Sequence, residues 1–544
     1  MGGNLTVKGM TTITGVEMGI WVKGGSLTVK EGTTITGVKV GIAMKGKGEL
    51  KVEEGTRIEF TGSESYDYGV YVGSSVSKAS LTGVTITGNK SGGSGVLMMG
   101  STVTMTKVNI SNVGTGVYAM GGSLTVKEGT TITEVEDGIK MMGGTLTVEK
   151  GARINFTGEH GYGIYVGESV RATLTDVTIE GRGSGNGNGY GVYAEGGSLT
   201  VSGGSITGVK AGIFAVKGGT LTVEDSTTIN FMGSDGYGVY VGEKVRAKLL
   251  KTRITGSGDG YGIEVAKGGA VWLKETHLRD VAKGMTISKG VTIMEKGSVE
   301  FTRDYGIDLT RGYAFLGGVN IEGKETGQEG IRVNEGMLDL YKTNVRDVYK
   351  GMTVWKGGIR MFGGSVEFTG DYGIDLTRGY AFLGEVNIEG KETGQEGIKV
   401  SEGMLNLYKT NVRDVYKGMT VKEGSVVRMF EGEITFKGEH AISLTKGYVD
   451  LRKVRMTYTS NGLNANFIKV EGGKVLAEEV TITGNGKGQG VKVANGGAVW
   501  LKKTTFTNVR SGMTVGRGVL CAWREDPLPL MEAMVSMSQG GRLC

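Results

Sequence analysis

The sequence predicts an all-β fold, a single right-handed parallel β-helix (solenoid) of about 22 coils, and three observations lead to it. A stretch at residues 121–139, GGSLTVKEGTTITEVEDGI, recurs almost unchanged at residues 24–42. Its runs of Thr, Val, Ile and Leu alternate between apolar and polar residues, as half-buried strands do, and glycine-containing turns separate them. Glycine accounts for 102 of the 544 residues and proline for only two, and no Gly-X-Y period is present, which excludes collagen.

Each copy of this stretch contains three short strands. Leu124 and Val126 lie on one side of the first strand, Ile132 continues the alternation in the second, and Ile139 opens the third. A single coil cannot bury its own apolar row, so it needs copies stacked above and below it. We therefore expect Ile132 to point into the core, where a charge would cost several kcal/mol in local stability.

The coils can be followed through the chain by the third strand, which opens with Gly before an apolar residue. The apolar residues are Ile20, Ile42, Val70, Val96, Val117, Ile139, Ile164, Val192, Ile213, Val239, Ile263, Met285, Ile307, Ile331, Met352, Ile374, Ile398, Met419, Ile442, Val491 and Met513. The wide gap between Ile442 and Val491 leaves room for one further coil, which we expect near Phe467.

Longer duplications and glycine-rich excursions overlie this pattern. Residues 143–179 resemble residues 218–254, and residues 298–331 are nearly identical to residues 365–398. The excursions are predicted to be loops on one side of the solenoid. They lie at residues 63–68, 89–94, 181–190 and 257–261. Several loops end in Gly-Tyr-Gly, so tyrosines from successive coils are expected to stack as an aromatic ladder.

Composition narrows the class of protein and sets its last residues apart. The formal charge of +6, from 62 basic and 56 acidic residues, is too small to indicate a nucleic-acid-binding protein. The sequence contains no apolar run long enough to predict a membrane span. Both prolines and both cysteines fall after residue 518. We therefore predict a solenoid over residues 1–518 and a separate tail over residues 519–544, which is either a terminal cap or an unrelated, frame-shifted end.

Catalysis would require clustered carboxylates on one face, as in β-helical polysaccharide lyases and hydrolases. Two copies of one motif supply the candidates: Asp304, Asp308 and Arg311, and Asp371, Asp375 and Arg378. Alternation places Ile307 inward and Asp308 outward, where an Asp beside an Arg is more often a solvated surface pair. His160, His277 and His440 lie in different coils, so we expect no metal site and no cofactor.

A repeated segment rich in Tyr, Lys and Arg is the most distinctive candidate binding surface, and it is called the basic-aromatic strip below. Its residues are Tyr341, Lys342, Arg346, Tyr349 and Lys350, with Tyr408, Lys409, Arg413, Tyr416 and Lys417 in the copy. Three coils separate the copies, or roughly 14 Å. The strip could bind a sulfated glycan or an acidic protein patch. The alternative is a charged turn that protects a sheet edge.

Repeats of the form G-G-[ST]-L-T-V-x-x-G-T-x-I-T-x-V-x-x-G-I, with loops ending in Gly-Tyr-Gly-[Ile/Val]-Tyr, resemble the β-helical passenger region of Gram-negative type V autotransporters, in particular Bartonella-type passengers. The resemblance covers residues 1–518. It implies a non-enzymatic virulence protein, displayed on the cell surface or secreted, that mediates host adhesion or receptor signalling. Its implied partner is a host cell-surface protein or a sulfated glycan, with no nucleic acid, and the implied state is a monomer.

The export signal and the translocator barrel of that family are not recognised in this sequence. We therefore expect either an excised passenger or the product of a truncated gene. Two alternatives stay open at this point. One is a carbohydrate-active β-helix enzyme that uses Asp304, Asp308 and Arg311, and the other is a truncated passenger remnant without independent function.

Overall fold

The computed structural model describes residues 3–62, 66–89, 92–182, 189–324, 327–391, 393–462, 465–516 and 520–523. Every regular element in these ranges is a β-strand, and none of them contains a helix long and apolar enough to cross a membrane. The chain divides into two compact units, Met1–Met285 and Thr286–Cys544. The prediction of an all-β parallel solenoid with about 22 coils is confirmed.

Three strands form a coil of the first unit, and fewer do so where a strand continues around a corner. These strands are Leu5–Val7, Thr12–Thr14, Met18–Val22, Leu27–Val29, Thr34–Val38, Val40–Met44, Gly48–Val52, Arg57–Phe60, Tyr68–Val72, Val76–Thr82, Thr85–Thr87, Ser94–Met98, Thr102–Thr106, Asn109–Ala119, Ser123–Val126, Thr131–Met141, Thr145–Val148, Arg153–Phe156, Tyr162–Val166, Arg171–Thr175, Thr178–Gly181, Tyr190–Glu195, Ser198–Ser202, Ser205–Val209, Ala211–Val216, Thr220–Glu224, Thr228–Phe231, Tyr237–Val241, Arg246–Leu250, Arg253–Thr255, Tyr261–Val265 and Ala270–Ile287.

The strands of the first unit pair in parallel with the equivalent strands of the next coil, so equivalent side chains stack in columns. Ile110, Ile132 and Ile154 form one such column, and Ile132 is fully buried, as predicted from the alternation. The Gly-Ile residues form another column, in which Val117 pairs with Ile139 and Ile139 with Ile164. These inward columns are the hydrophobic core of the unit.

The second unit repeats this architecture with several longer strands. They are Gly290–Leu309, Gly312–Gly323, Glu329–Val333, Met337–Val348, Lys350–Val354, Gly358–Phe368, Tyr372–Leu376, Tyr380–Gly384, Asn387–Gly390, Glu396–Val400, Met404–Val421, Ser425–Leu444, Gly447–Arg452, Arg455–Tyr458, Asn466–Val470, Lys474–Glu478, Thr481–Thr483, Gln489–Val493, Ala498–Lys502, Thr505–Thr507, Ser511–Val515 and Leu520–Trp523. The additional coil expected near Phe467 is present, and Ile468 occupies its core position between Ile442 and Val491.

Single residues in the left-handed region turn the longer strands from one face of a coil to the next. Lys342 has a φ of 48° and Asp347 a φ of 54°, and the strand Met337–Val348 passes through both residues. Asp and Asn tolerate this conformation better than branched residues do. A nominally single strand therefore contributes side chains to more than one face of the solenoid.

The glycine of the Gly-Ile motif is required by packing between coils. A Cβ atom on Gly116 would lie 2.4 Å from Cγ2 of Ile132 in the next coil and 2.6 Å from the carbonyl oxygen of Gly138. Any larger residue would overlap both atoms. The motif that marks the coils in the sequence therefore marks the closest approach between neighbouring coils.

Parts of the predicted loops and tail lie outside the described residues. These are residues 63–65, 90–91 and 183–188 of the loops and residues 519 and 524–544 of the tail. Leu520–Trp523 pairs in parallel with Ala498–Lys502, so the ladder extends four residues past position 519. The assignment of residues 519–544 as a separate tail stays a prediction.

Candidate ligand-binding face

Aromatic side chains form two adjacent outward columns on the Gly-Ile strands of the first unit. We call them the tyrosine face. The first column contains Tyr162, Tyr190, Ala211, Tyr237 and Tyr261 in register. The second column contains Tyr165, Tyr193, Phe214, Tyr240 and Glu264. Both columns arise because the residues two before and one after each buried Gly-Ile residue point away from the core.

The rings of the second column stack in an unbroken row. The centroids of Tyr165 and Tyr193 are 5.7 Å apart at an interplanar angle of 7°, and Tyr193 and Phe214 are also 5.7 Å apart. Phe214 and Tyr240 are 4.2 Å apart at 11°. Such pairs contribute about 0.5–1.5 kcal/mol each beyond the area they bury. The row is therefore stabilised by contacts between its own rings.

The first column confirms the predicted aromatic ladder in two segments. Tyr162 stacks on Tyr190 at 5.6 Å, and Tyr237 stacks on Tyr261 at 5.2 Å. The two segments are separated by Ala211, which has no ring. The sequence pattern pointed to these tyrosines through Gly-Tyr-Gly. The tyrosines of the second column were part of the longer motif Gly-Tyr-Gly-[Ile/Val]-Tyr, but they were not predicted to stack.

Partial burial sets the protonation of the groups on this face. Burial raises the pKa of Tyr237 to about 12, and it raises the pKa of Tyr193 and of Tyr240. Burial also raises the pKa of the Glu264 carboxyl, an effect that Lys283 partly opposes. The phenols therefore stay uncharged near neutral pH and can both donate and accept hydrogen bonds.

Charged side chains border the rings at both ends of the face. The hydroxyl of Tyr165 donates to Glu195, which also accepts from Lys217. Nζ of Lys283 donates to the hydroxyl of Tyr261 at 2.8 Å and lies 4.2 Å from the centre of its ring. The face thus combines flat apolar surface with fixed polar groups at its rim.

The basic-aromatic strip lies in the second unit, and its two copies are three coils apart as expected. Tyr341 pairs with Phe362, Phe362 with Gly384, and Gly384 with Tyr408. Tyr341 is 50% exposed and Tyr408 is 42% exposed. Phe362, which the sequence argument did not include, lies in the same column and is equally exposed.

The structure does not bring the residues of one strip copy together on one face. Arg346 pairs in register with Glu322, and Lys350 pairs with Glu329 on the following face. The turns at Lys342 and Asp347 separate these positions from Tyr341.

Most cations of the strip have carboxylate partners. Distances between the paired atoms range from 2.5 to 3.4 Å for Arg346 with Glu322, Arg413 with Glu433, Lys417 with Glu439 and Lys350 with Asp371. The hydroxyl of Tyr349 also donates to Asp371 at 3.0 Å. Tyr416, the copy of Tyr349, is exposed and directly precedes Lys417 in the chain. Lys342 and Lys409 lie over the rings of Tyr341 and Tyr408, at 5.3 and 5.2 Å. The strip is therefore less cationic than its sequence indicates.

The expectation that Asp308 is exposed is wrong. Asp308 is 9% exposed and its copy Asp375 is 7% exposed, although both are in outward positions of their strands. The reason is that side chains of adjacent coils cover them, as Lys399 does for Asp375 with an Nζ–Oδ2 distance of 2.8 Å. A position that alternation places outside can still be buried between coils.

The arginines of the predicted catalytic groups pair with other carboxylates. Nε of Arg311 is 2.6 Å from Glu335, and Nε of Arg378 is 2.7 Å from Glu402. Asp304 is exposed. The two arginines are thus paired with carboxylates outside the groups proposed from the sequence.

The histidines do not form a shared site. His440 is buried, and its Nε2 lies 3.2 Å from Oγ1 of Thr420. Burial, followed by the charge of Lys417, lowers the pKa of His440 to about 4, so the ring is neutral at physiological pH. His160 and His277 are exposed on other coils. Among the residues that the structure describes, no group of three or more His, Cys, Asp or Glu could hold a metal ion.

Stacked parallel coils with inward apolar columns define a parallel β-helix protein. A family model described as "Right handed beta helix region" matches residues 18–152 and 144–303, which together span more than half of the chain. The chain therefore belongs to the right-handed β-helix family. A search of the curated proteins finds no match.

One similar solved structure is titled "Structure of PL6 family alginate lyase AlyGC". It is 9% identical, the match covers 96% of this chain and 99% of that chain, and the TM-score is 0.32. A structural similarity this low gives no information about the activity of this chain.

Proposed function

We propose that this chain is a non-enzymatic, glycan-binding β-helix of the autotransporter-passenger type, displayed on or released from a bacterial surface and acting in adhesion to host cells. The observation that carries the proposal is the tyrosine face. Its half-buried rings are held in two adjacent columns, and the stacking distances in the second column run from 4.2 to 5.7 Å.

This surface has the chemistry that sugar rings require. A pyranose presents C–H groups on its two flat faces and hydroxyls around its edge. Aromatic rings supply a flat apolar surface for the faces, and phenol, carboxyl and ammonium groups supply hydrogen bonds for the edge. Because neighbouring coils already fix the rings, binding costs little side-chain entropy.

Binding of the full chain to a panel of neutral, acidic and sulfated oligosaccharides tests the proposal. We expect saturable binding of neutral oligosaccharides that weakens at least tenfold in Tyr193→Leu, since leucine keeps the bulk of the column but lacks a flat ring. The matched control is Tyr341→Leu with Tyr408→Leu, which removes exposed tyrosines from the second unit and should leave this binding unchanged.

Two outcomes would contradict the proposal. One is a folded chain that binds no oligosaccharide of the panel. The other is binding of sulfated sugars alone that is lost in the Tyr341 and Tyr408 variant, because that result would assign recognition to the basic-aromatic strip. The adhesion role is tested on cultured host cells, where free neutral oligosaccharide should compete with the chain for binding.

A carbohydrate-active enzyme is the second candidate, and one observation favours it. Glu264 is half-buried beside Tyr240, and burial raises its pKa, as in general acids of glycoside hydrolysis. Incubation with the same polysaccharides, followed by a reducing-end assay, separates the two candidates. Product formation that is abolished in Glu264→Gln, or in Asp308→Asn with Asp375→Asn, would establish an enzyme. We expect no product.

A further inference from the structure

Three exposed methionines lie next to one another in consecutive coils of the first unit. They are Met99, Met120 and Met142, and we call them the methionine row. The backbone N–H of Met120 donates to the carbonyl oxygen of Met98. The backbone N–H of Met142 donates to the carbonyl oxygen of Ala119, which pairs in register with Met98. The parallel ladder therefore continues through the row, and neighbouring members are one coil apart, or about 4.8 Å.

Core packing does not account for the methionine row. Met99, Met120 and Met142 are 38%, 46% and 39% exposed. Met98 and Met141, the residues directly before the first and last of them, are fully buried and fill the core, as methionine commonly does. Apolar side chains that stay exposed as a contiguous group are typical of interaction sites. The row therefore calls for a ligand that suits thioether groups.

Glycines border the row on both sides. The hydrogen bonds of the ladder place Gly73 and Gly167 at the equivalent positions of the coils before and after it. Neither residue has a side chain that could cover the row. Lys140 lies two residues before Met142 in the chain, and its Nζ is 2.5 Å from Oδ2 of Asp137, so this pair neutralises its charge. A cation that approaches the row is therefore not opposed by a free ammonium group of Lys140.

Thioether sulfur is a neutral, soft ligand that selects soft ions such as Cu⁺ over hard ones. At a metal–sulfur distance of roughly 2.3 Å, as in zinc–thiolate bonds, three sulfurs around one ion are about 4 Å apart. The spacing of the coils, about 4.8 Å, is close to this separation. The flexible methionine side chain, with three rotatable bonds, lets the outer members lean toward the middle one.

We infer that the methionine row binds one soft monovalent cation, of the class of Cu⁺ and Ag⁺, through the Sδ atoms of Met99, Met120 and Met142. The inference goes beyond the proposed glycan binding and does not depend on it. The expectation of no metal site rested on the histidines, and thioethers are a separate set of donors.

Titration of the full chain with Ag⁺ in chloride-free buffer, and with Cu⁺ in the absence of oxygen against a chromophoric chelator, tests the inference. Cys521 and Cys544 are replaced by serine in every sample, because thiolates also bind these ions. We expect one ion per chain. Met99→Leu with Met120→Leu and Met142→Leu, which nearly conserves volume and removes the sulfurs, should weaken binding at least tenfold.

Two further readouts distinguish the row from other donors. Met120→Leu leaves two methionines about 9.5 Å apart, so it should weaken binding more than Met99→Leu or Met142→Leu, each of which leaves an adjacent pair. If the triple variant does not fold, this comparison of single variants decides the question. The affinity should also stay within about twofold between pH 5.5 and 7.5, because a thioether does not titrate, whereas a histidine or cysteine site weakens on acidification.

The matched control is Met18→Leu with Met404→Leu. Both methionines are exposed, but the residues paired with them in adjacent coils are Val40 for Met18, and Tyr380 and Val426 for Met404. This control should bind the ion as tightly as the chain with all its methionines. Four results would overturn the inference: no binding by the intact row, unchanged affinity in the triple variant, an equal loss in the control, or a middle variant that binds as tightly as the two outer ones.

Discussion

Replacing Gly116 by alanine should loosen one coil through a contact that the structure defines closely. The added Cβ would lie 2.4 Å from Cγ2 of Ile132 and 2.6 Å from the carbonyl oxygen of Gly138. Ile132 is fully buried and stacked between isoleucines of the two adjacent coils, so its methyl group has no free space to enter. The carbonyl oxygen belongs to the ladder and cannot rotate away. The two coils must therefore move apart locally.

Two opposing terms set the size of the effect. Overpacking of a well-packed core typically costs about 1–3 kcal/mol. A Gly-to-Ala change also restricts the unfolded chain, which stabilises by about 0.4–1 kcal/mol. The net expectation is a destabilisation of about 1–2 kcal/mol, which corresponds to about a 5- to 30-fold larger open population.

Hydrogen exchange read out by mass spectrometry is the suitable assay, because a solenoid opens locally and one melting temperature does not report a single coil. Exchange should accelerate in Asn109–Ala119 and Thr131–Met141 and stay unchanged in distant strands. Gly512→Ala is the matched control. Gly512 precedes Met513 in the same motif, but no heavy atom of the described chain lies within 4 Å of its added Cβ. Unaltered protection in Gly116→Ala, or equal loss in Gly512→Ala, would refute the packing argument.

Two further predictions concern charge. The pKa of His440 is lowered to about 4, so its coil favours the neutral ring. The contribution of the neutral His440 ring to folding stability is complete above pH 6.5. It declines as the pH falls toward 4, by up to about 3 kcal/mol. His440→Gln should remove this loss, measured as exchange in Ser425–Leu444 between pH 4 and 7. Glu322→Gln with Glu433→Gln should increase retention on heparin, because it releases Arg346 and Arg413.

Each of these predictions has its own comparison. If His440→Gln loses protection at low pH as steeply as wild type, another group is responsible for the acid sensitivity. For heparin, the control is Glu335→Gln with Glu402→Gln, which releases Arg311 and Arg378 outside the strip and removes the same amount of negative charge. Equal retention of the two double variants would show that net charge, and not the strip, determines heparin binding.

Features that depend on one coil could be predicted from the sequence, whereas features that depend on contacts between coils could not. Alternation alone placed Ile132 in the core, and the spacing alone required a coil near Phe467. Asp308 was assigned to the correct side of its strand, yet its burial depends on side chains one coil away. The same limit applies to Arg346, whose partner Glu322 lies 24 residues earlier in the chain.

The break in the first aromatic column at Ala211 was missed for a related reason. The three residues of this part of the column come from coils separated by loops of unequal length, so the register of Tyr190, Ala211 and Tyr237 is not visible as a fixed spacing in the sequence. Phe214 carries no Gly-Tyr-Gly signal, although its ring packs against those of both Tyr190 and Tyr237. The only available sign was a coil in which Ala replaces the first Tyr of a motif present in the coils around it.

Duplication explains why the break in the first aromatic column lies at the coil of Ala211. The block at residues 143–179 is repeated at residues 218–254, so the ring pair of Tyr162 and Tyr165 reappears as Tyr237 and Tyr240. The coil with Ala211 is the last one before the repeated block begins, and in the first column it therefore separates two pairs of stacked tyrosines. Growth by whole blocks preserves the core columns, because every coil supplies the same inward residues. It does not require the outward columns to be continuous across the junction, and a gap of one ring there has no cost to the core.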